Sequence, residues 1–175
     1  MRRKLQVNLS VGGLKQLETE LERYQEDLIY KTRLLAEKLS ERGVEIARVK
    51  ISDYDAIFTG ELIRSLHSDY VSSKKFGAVF MTVADSKHAI FVEIGTGSNG
   101  IDTPYPFSLP DGVSWDYASG KTVRQNPITG RYYWFYPGQD GVWHYTEGLP
   151  SRPYMMETSI ALMQEVVKVA KEVFR

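Results

Sequence analysis

A helical repeat of apolar residues near the start of the chain limits the fold more than any other feature. The repeat runs at intervals of three, four and seven residues, through Leu14, Leu17, Leu21, Tyr24, Leu28, Leu35 and Leu39. Charged residues fill the opposite positions, as in an amphipathic helix. The spacing predicts a long helix over 14–51 that Gly43 interrupts or kinks. Its apolar stripe needs a partner, either a sheet of the same chain, which we favour, or a neighbouring subunit.

Two segments with the composition of β-strands follow this helix. They span 61–72 and 77–83, and joined through 72–76 they predict an antiparallel hairpin. The next apolar run, 86–97, is too short for its periodicity to distinguish helix from strand. The region 59–97 is therefore predicted as strands and a turn.

Residues 98–150 have a different composition and contain most of the chain's seven prolines. Segments 131–136 and 142–146 flank a turn rich in proline and glycine, which predicts a second hairpin. This aromatic-rich insertion supplies six candidate interface residues: Trp115, Tyr132, Trp134, Tyr136, Trp143 and Tyr145. Helical spacing returns in the last segment, 151–175, after Pro153.

The order of these segments predicts an α+β fold. A long N-terminal helix and a C-terminal helix would pack on a small antiparallel sheet, with the aromatic-rich hairpin as an insertion. A length of 175 residues fits a single domain over 1–175.

The charge balance and the hydropathy of the chain argue against several classes of partner. Lysine plus arginine and aspartate plus glutamate number 22 each, so the chain lacks the net positive charge that nonspecific DNA binding uses. No run of about 18 apolar residues predicts a membrane span. We expect neither a membrane nor a specific nucleic acid as a partner.

The sequence has no pattern typical of catalysis or metal binding. Cysteine is absent, the three histidines lie in unrelated segments, and Gly95-Thr96-Gly97 lacks the Lys-Ser/Thr ending of a phosphate loop. We predict no enzyme, catalytic residue, cofactor or metal site. A metal-dependent nuclease is the remaining enzymatic alternative, and it would use acidic residues that are also common in loops: Asp53, Asp55, Glu61 and Glu93.

Three short stretches, in this order along the chain, resemble one family of phage proteins. They are 58–65 (FTGELIRS), 88–97 (HAIFVEIGTG) and 150–155 (PSRPYM). Together they resemble the small tail-component family of long-tailed bacteriophages, whose members are called neck, tail-completion, head–tail connector or minor capsid proteins. His88 departs from the aromatic residue more usual in the family. The matching positions are Thr59, Gly60, Leu62, Ser65, Glu93, Gly95, Thr96, Gly97, Pro153 and Tyr154.

The resemblance implies a structural virion protein of a phage or prophage, assembled in the host bacterial cytoplasm. Copies would join into an oligomeric ring at the head–tail junction and meet portal or adaptor proteins, or tail-tube or tail-terminator proteins. The motif residues would have architectural roles. Gly60 would form a turn, Pro153 would start the last helix, and Glu93 would accept hydrogen bonds from backbone N–H groups, Arg64 or Arg152.

A binding module for carbohydrate or peptide is the alternative from another class. Exposed tryptophans stack on sugar rings, and Trp115, Trp134 and Trp143 would provide such platforms.

Overall fold

The computed structural model describes residues 10–56, 60–74, 77–109, 111–138 and 140–175. Within them the fold class is α+β, as predicted, with a long N-terminal helix, a C-terminal helix and two small antiparallel sheets. The elements in chain order are α1 (Val11–Asp53), α2 (Glu61–Ser65), β1 (Leu66–Lys74), β2 (Gly77–Ala84), α3 (Ala89–Ile94), α4 (Gly97–Asp102), β3 (Arg124–Gln125), β4 (Tyr132–Pro137), β5 (Trp143–Thr146) and α5 (Tyr154–Val173).

Gly43 does not interrupt α1, so the prediction of two helical segments was wrong. The helix runs unbroken for 43 residues. A Cβ at Gly43 would overlap the Oγ1 atom of Thr82 and lie 3.1 Å from Cδ1 of Leu162. Glycine is therefore present because β2 and α5 approach α1 closely here, and this packing outweighs its low helix propensity.

The predicted first strand is partly wrong, because residues 61–65 form the short helix α2 and β1 begins at Leu66. Gly60 has a left-handed backbone (φ 70°), and its carbonyl accepts a hydrogen bond from the N–H of Arg64 over 3.1 Å. The Ser65 hydroxyl donates to the carbonyl of Leu62. The left-handed turn starts a helical turn, and burial of Leu62 and Leu66 then holds it in place.

The run 86–97, whose periodicity did not distinguish helix from strand, contains the helix α3, and α4 begins at Gly97. The prediction of strands and a turn over 59–97 is therefore wrong for this part. The second hairpin lies where it was predicted, and β3 joins it in a sheet of order β3-β4-β5. Its register pairs Phe135 with Tyr145 and Pro137 with Trp143.

The chain divides into two compact units, and α1 and α5 each contribute residues to both. The first unit takes in α1 up to Glu45, His67–Val83 and Ile160–Arg175. Its buried apolar residues are Val44, Val169 and Val173, and Arg42 donates two hydrogen bonds to the carboxylate of Glu165. A single domain over 1–175 remains a prediction.

The second unit takes in Ile46–Leu66 and Ala84–Ser159, and it contains the larger apolar core. Its buried apolar residues are Ala47, Ile51, Leu62, Leu66, Val92, Ile94 and Tyr154. None of the helices in the described residues is long and apolar enough to cross a membrane.

Candidate interaction surface

Glu93 on α3 holds the start of the last helix. Its carboxylate accepts hydrogen bonds from the backbone N–H groups of Met155 over 2.8 Å and Met156 over 3.1 Å. These groups belong to the first turn of α5, where backbone N–H groups lack partners within the helix. A buried carboxylate more than sixty residues earlier in the chain therefore caps α5. Pro153 directly precedes the helix, as the motif suggested, and Tyr154 is 1% exposed.

Burial raises the pKa of the Glu93 carboxyl, and the hydrogen bonds from Met155, Met156 and the Tyr105 hydroxyl oppose that rise. The backbone partners agree with one of the two roles suggested by the sequence. An ion pair between Glu93 and Arg152, which the sequence also suggested, is not formed in the described part of the chain.

The Gly-Thr-Gly motif joins the aromatic insertion to the rest of the second unit. The N–H of Thr96 donates to the Leu149 carbonyl over 2.8 Å, and the N–H of Leu149 donates back to the carbonyl of Thr96 over 3.0 Å. The N–H of Gly97 donates to the Tyr117 carbonyl over 2.6 Å. The carbonyl of Gly95 accepts a hydrogen bond from the indole of Trp115. The motif is therefore an attachment point for the insertion.

Gly97 has no room for a side chain. Its φ is 61°, and a Cβ there would overlap the carbonyl oxygen of Glu147 and lie 2.8 Å from the ring of Trp134. Both the backbone conformation and the close approach of the insertion require glycine at this position.

Arg131 fixes the base of the β4–β5 hairpin to α4. Its guanidinium donates to the carboxylate of Glu147, to Asp102 over 2.9 Å and to the side-chain oxygen of Asn99 over 3.2 Å. Hydrogen bonds from Tyr145 and from this guanidinium lower the pKa of Glu147. The base of the hairpin is thus held by hydrogen bonds at several points.

The two faces of the hairpin differ in their surroundings. One face carries Tyr132, Trp134 and Tyr136, all of which are partly buried. Trp134 approaches Gly97, and Tyr136 stacks on His144 at a centroid distance of 5.6 Å. The backbone N–H of Tyr132 donates to the Ser98 hydroxyl. Trp115, also partly buried, packs beside Phe91. Four of the six candidate interface residues are therefore partly buried within their own unit.

The other face of the hairpin carries aromatic rings, most of which are open to solvent. Tyr133, Phe135 and Tyr145 contact one another at centroid distances of 5.5–6.1 Å, and Trp143 is 66% exposed. We call Tyr133, Phe135, Trp143 and Tyr145 the exposed aromatic face. Phe135 and Tyr133 were not among the candidate interface residues predicted from the sequence. The period-two alternation of a strand nevertheless places both on the face of β4 opposite to that of Trp134, which is the face of Tyr145.

A second exposed apolar surface lies on the first half of α1. Leu14, Leu21, Tyr24 and Leu28 are all exposed, and Leu14 retains 49% of its accessible surface. Contiguous apolar patches of this kind usually mark sites of contact with another molecule. We call Leu14, Leu17, Leu21, Tyr24 and Leu28 the α1 stripe. For this half of the helix the structure does not provide the sheet that we favoured as its partner.

Two of the acidic residues considered for a nuclease have structural partners. Glu61 accepts a hydrogen bond from Ser86, whereas Glu93 caps α5. Among the described residues no group of three or more His, Asp or Glu side chains is placed to hold a metal ion. Thr59, from the first motif, lies outside the described residues.

The function has to be inferred from these surfaces, because similarity to known proteins does not supply one. Neither protein-family models, nor curated protein sequences, nor solved structures give a match to this chain.

Proposed function

We propose that this chain is a structural virion protein of a tailed phage or prophage, which acts in the neck by joining copies of itself and adjacent neck proteins. The observation that carries the proposal is the pair of exposed apolar surfaces, the α1 stripe and the exposed aromatic face. The three sequence motifs that resemble the tail-component family also support it.

The local architecture supports a role in assembly rather than in chemistry. Within the second motif, Glu93 caps α5 and Gly95-Thr96-Gly97 attaches the aromatic insertion. Rigid attachment favours recognition, because a surface that is already ordered loses less entropy on binding. Partners would be other copies in a ring, with portal, adaptor, tail-tube or tail-terminator proteins on either side.

The first experiment asks whether the protein is part of a particle. We expect its gene to lie among portal, capsid and tail genes, and the full chain to be found by mass spectrometry in purified particles from the producing host. A gene remote from any virion cluster, or particles that lack the chain, would contradict the proposal.

The second experiment tests the exposed aromatic face directly. The double variant Phe135→Ser/Trp143→Ser removes two of its rings, and we expect it to fold but to be incorporated into particles at least about tenfold less, since buried aromatic anchors dominate interface energies. Ile128→Ser is the matched control, because Ile128 is 92% exposed and lies in the turn before β4. Normal incorporation of the double variant would exclude this face as an assembly surface.

A carbohydrate-binding module is the competing function, because the same exposed rings are suited to stacking on sugars. Titration of tryptophan fluorescence with cell-wall fragments separates the two. A saturable change that Trp143→Ser abolishes would favour the binding module, and no change is expected for a neck protein.

A further inference from the structure

The α1 stripe is bordered by acidic residues on both sides. At 100° per residue, Glu18 and Glu22 lie along one border, and Glu20 lies along the other together with Asp27, whose carboxylate is paired with Lys31 over 3.0 Å. All four are exposed, and acidic residues outnumber basic ones over 11–30. A partner for this stripe should therefore combine an apolar surface with positive charge.

The second half of α5 has the complementary character. Its outward side exposes an apolar row, in which Met163 is 67% exposed and Val167 is 62% exposed. We call this row the α5 stripe; it consists of Met163, Val166, Val167, Ala170 and Phe174. One border of the row is the buried side of the helix, at Val169 and Val173.

The other border of the α5 stripe is basic. It carries Lys171 and Arg175, and Lys168 lies farther round the helix, towards Glu165 and Glu172. All three are exposed and form no ion pair within the described part of the chain. The acidic residues Glu165 and Glu172 lie on the far side of the helix, and Glu165 is bonded to Arg42. The charge directly beside the stripe is therefore positive.

Charge also disfavours pairing of two α1 stripes with each other. Leu14, Leu17, Leu21, Tyr24 and Leu28 have the alternating three- and four-residue spacing of a coiled-coil seam. The positions beside such a seam select its partner, and here they are occupied by Glu18, Glu20 and Asp27, of which Asp27 is paired with Lys31. Two α1 stripes would bring like charges together, whereas the α5 stripe provides opposite ones.

We infer that the α1 stripe of one copy packs against the α5 stripe of a second copy of this chain. The inference deepens the proposed function, on which it rests, by naming the surfaces through which copies meet. The contact is head to tail, because one patch meets a different patch on the next copy. Repeated contacts of that type close into a ring when the rotation between copies permits.

Charge reversal tests the pairing on the full-length chain. One variant, Glu18→Lys/Glu20→Lys/Glu22→Lys, reverses the borders of the α1 stripe, and another, Lys168→Glu/Lys171→Glu, reverses the border of the α5 stripe. The control Glu26→Lys/Glu172→Lys changes charges on the opposite sides of the same helices. Circular dichroism and thermal melting establish that each variant folds. Sedimentation velocity over a range of concentrations measures association.

The native chain should exceed its monomer mass of 20.0 kDa at low salt as concentration rises. Association should weaken between about 0.01 M and about 1 M NaCl, over which the screening length falls from about 30 Å to about 3 Å. Each reversal should weaken association at least about tenfold, since like charges then face each other. A one-to-one mixture of the two reversed variants should recover it, because each stripe again meets opposite charge. The control should behave as the native chain does.

Several results would overturn the pairing of α1 and α5. The pairing is wrong if the native chain is monomeric at every concentration at low salt, or if neither reversal weakens association. It is also wrong if association does not recover in the one-to-one mixture of the two reversed variants. If the reversals have no effect but Phe135→Ser/Trp143→Ser abolishes association, copies meet through the hairpin and the proposed function stands. If the reversals behave as expected but particles lack the chain, the pairing stands and the neck function fails.

Discussion

The start of α5 and the first half of α1 use similar residues in opposite ways. At the start of α5, Tyr154 is buried and Glu93 caps the helix, so apolar and charged groups have partners within their own unit. In the first half of α1, Leu14 and Tyr24 are exposed beside carboxylates that face solvent. An amphipathic pattern thus indicates that a helix needs a partner but not whether the same chain supplies it.

The contrast leads to a clear expectation for mutagenesis. Changes at the α5 start should reduce the stability of the isolated chain, because they remove contacts that the chain makes with itself. Changes in the exposed half of α1 should leave stability nearly unaltered and act on association instead. Pairs of variants, each pair differing in one structural feature, separate these two kinds of site.

The largest difference is expected between Tyr154→Ala and Leu14→Ala. Tyr154 is 1% exposed, so its truncation should lower the free energy of unfolding by about 3–5 kcal/mol, as for other large core side chains. Leu14→Ala should change it by less than about 0.5 kcal/mol, because the side chain is already half exposed. Urea denaturation of both variants measures the difference. Equal losses would mean that the α1 stripe is buried in the isolated chain.

A smaller difference should separate two glycines with similar backbone angles. Gly97 (φ 61°) is enclosed by Glu147 and Trp134, whereas a Cβ added at Gly130 (φ 71°) would have nothing within 4 Å. Gly130→Ala should lower the free energy of unfolding by about 1–2 kcal/mol through backbone strain alone. Gly97→Ala adds steric overlap and should lower the free energy of unfolding by about 2–4 kcal/mol. Thermal unfolding measures the stability of both variants. Equal stability of the two would contradict the attachment role of Gly97.

The smallest effect should come from the Lys50–Glu157 ion pair, which joins α1 to α5 within the second unit over 2.8 Å. Lys50 and then the Tyr54 hydroxyl hold the pKa of Glu157 below its ordinary value of 4.5. The folded state therefore binds fewer protons than the unfolded state as pH falls below that value. The contribution of the ion pair to the free energy of unfolding is complete above about pH 4.5, and it is lost as the pH falls through the lowered pKa of Glu157.

Glu157→Gln should remove this acid-sensitive part of the stability, which we expect to be under about 1 kcal/mol at neutral pH for a partly exposed pair. Unfolding measured from neutral to acidic pH should show the native and variant curves converging at low pH. Asp27→Asn, which removes a carboxylate from the exposed Lys31–Asp27 pair of α1, is the control. Native and Glu157→Gln curves that stay parallel would contradict the role of the pair.

The sequence predicted the elements with strong periodicity or strong turn composition. The helical repeat located α1, the turn at 137–141 located the β4–β5 hairpin, and Pro153 located the start of α5. It did not predict α2, because 61–65 is rich in residues that also suit a strand, and burial of Leu62 and Leu66 decided the outcome. Gly43 was misjudged for the same reason, since helix propensity takes no account of how closely Thr82 approaches.

For the candidate surfaces, the sequence by itself determined that aromatic residues would gather in the insertion and that α1 would carry an apolar stripe. Only the tertiary structure decided which of those side chains stay exposed. Trp115 and Trp134 are used within the second unit, whereas Trp143, Tyr145 and the unpredicted Phe135 face solvent. The physical reason is that local patterns fix which residues share a face, whereas burial depends on what distant parts of the chain place against that face.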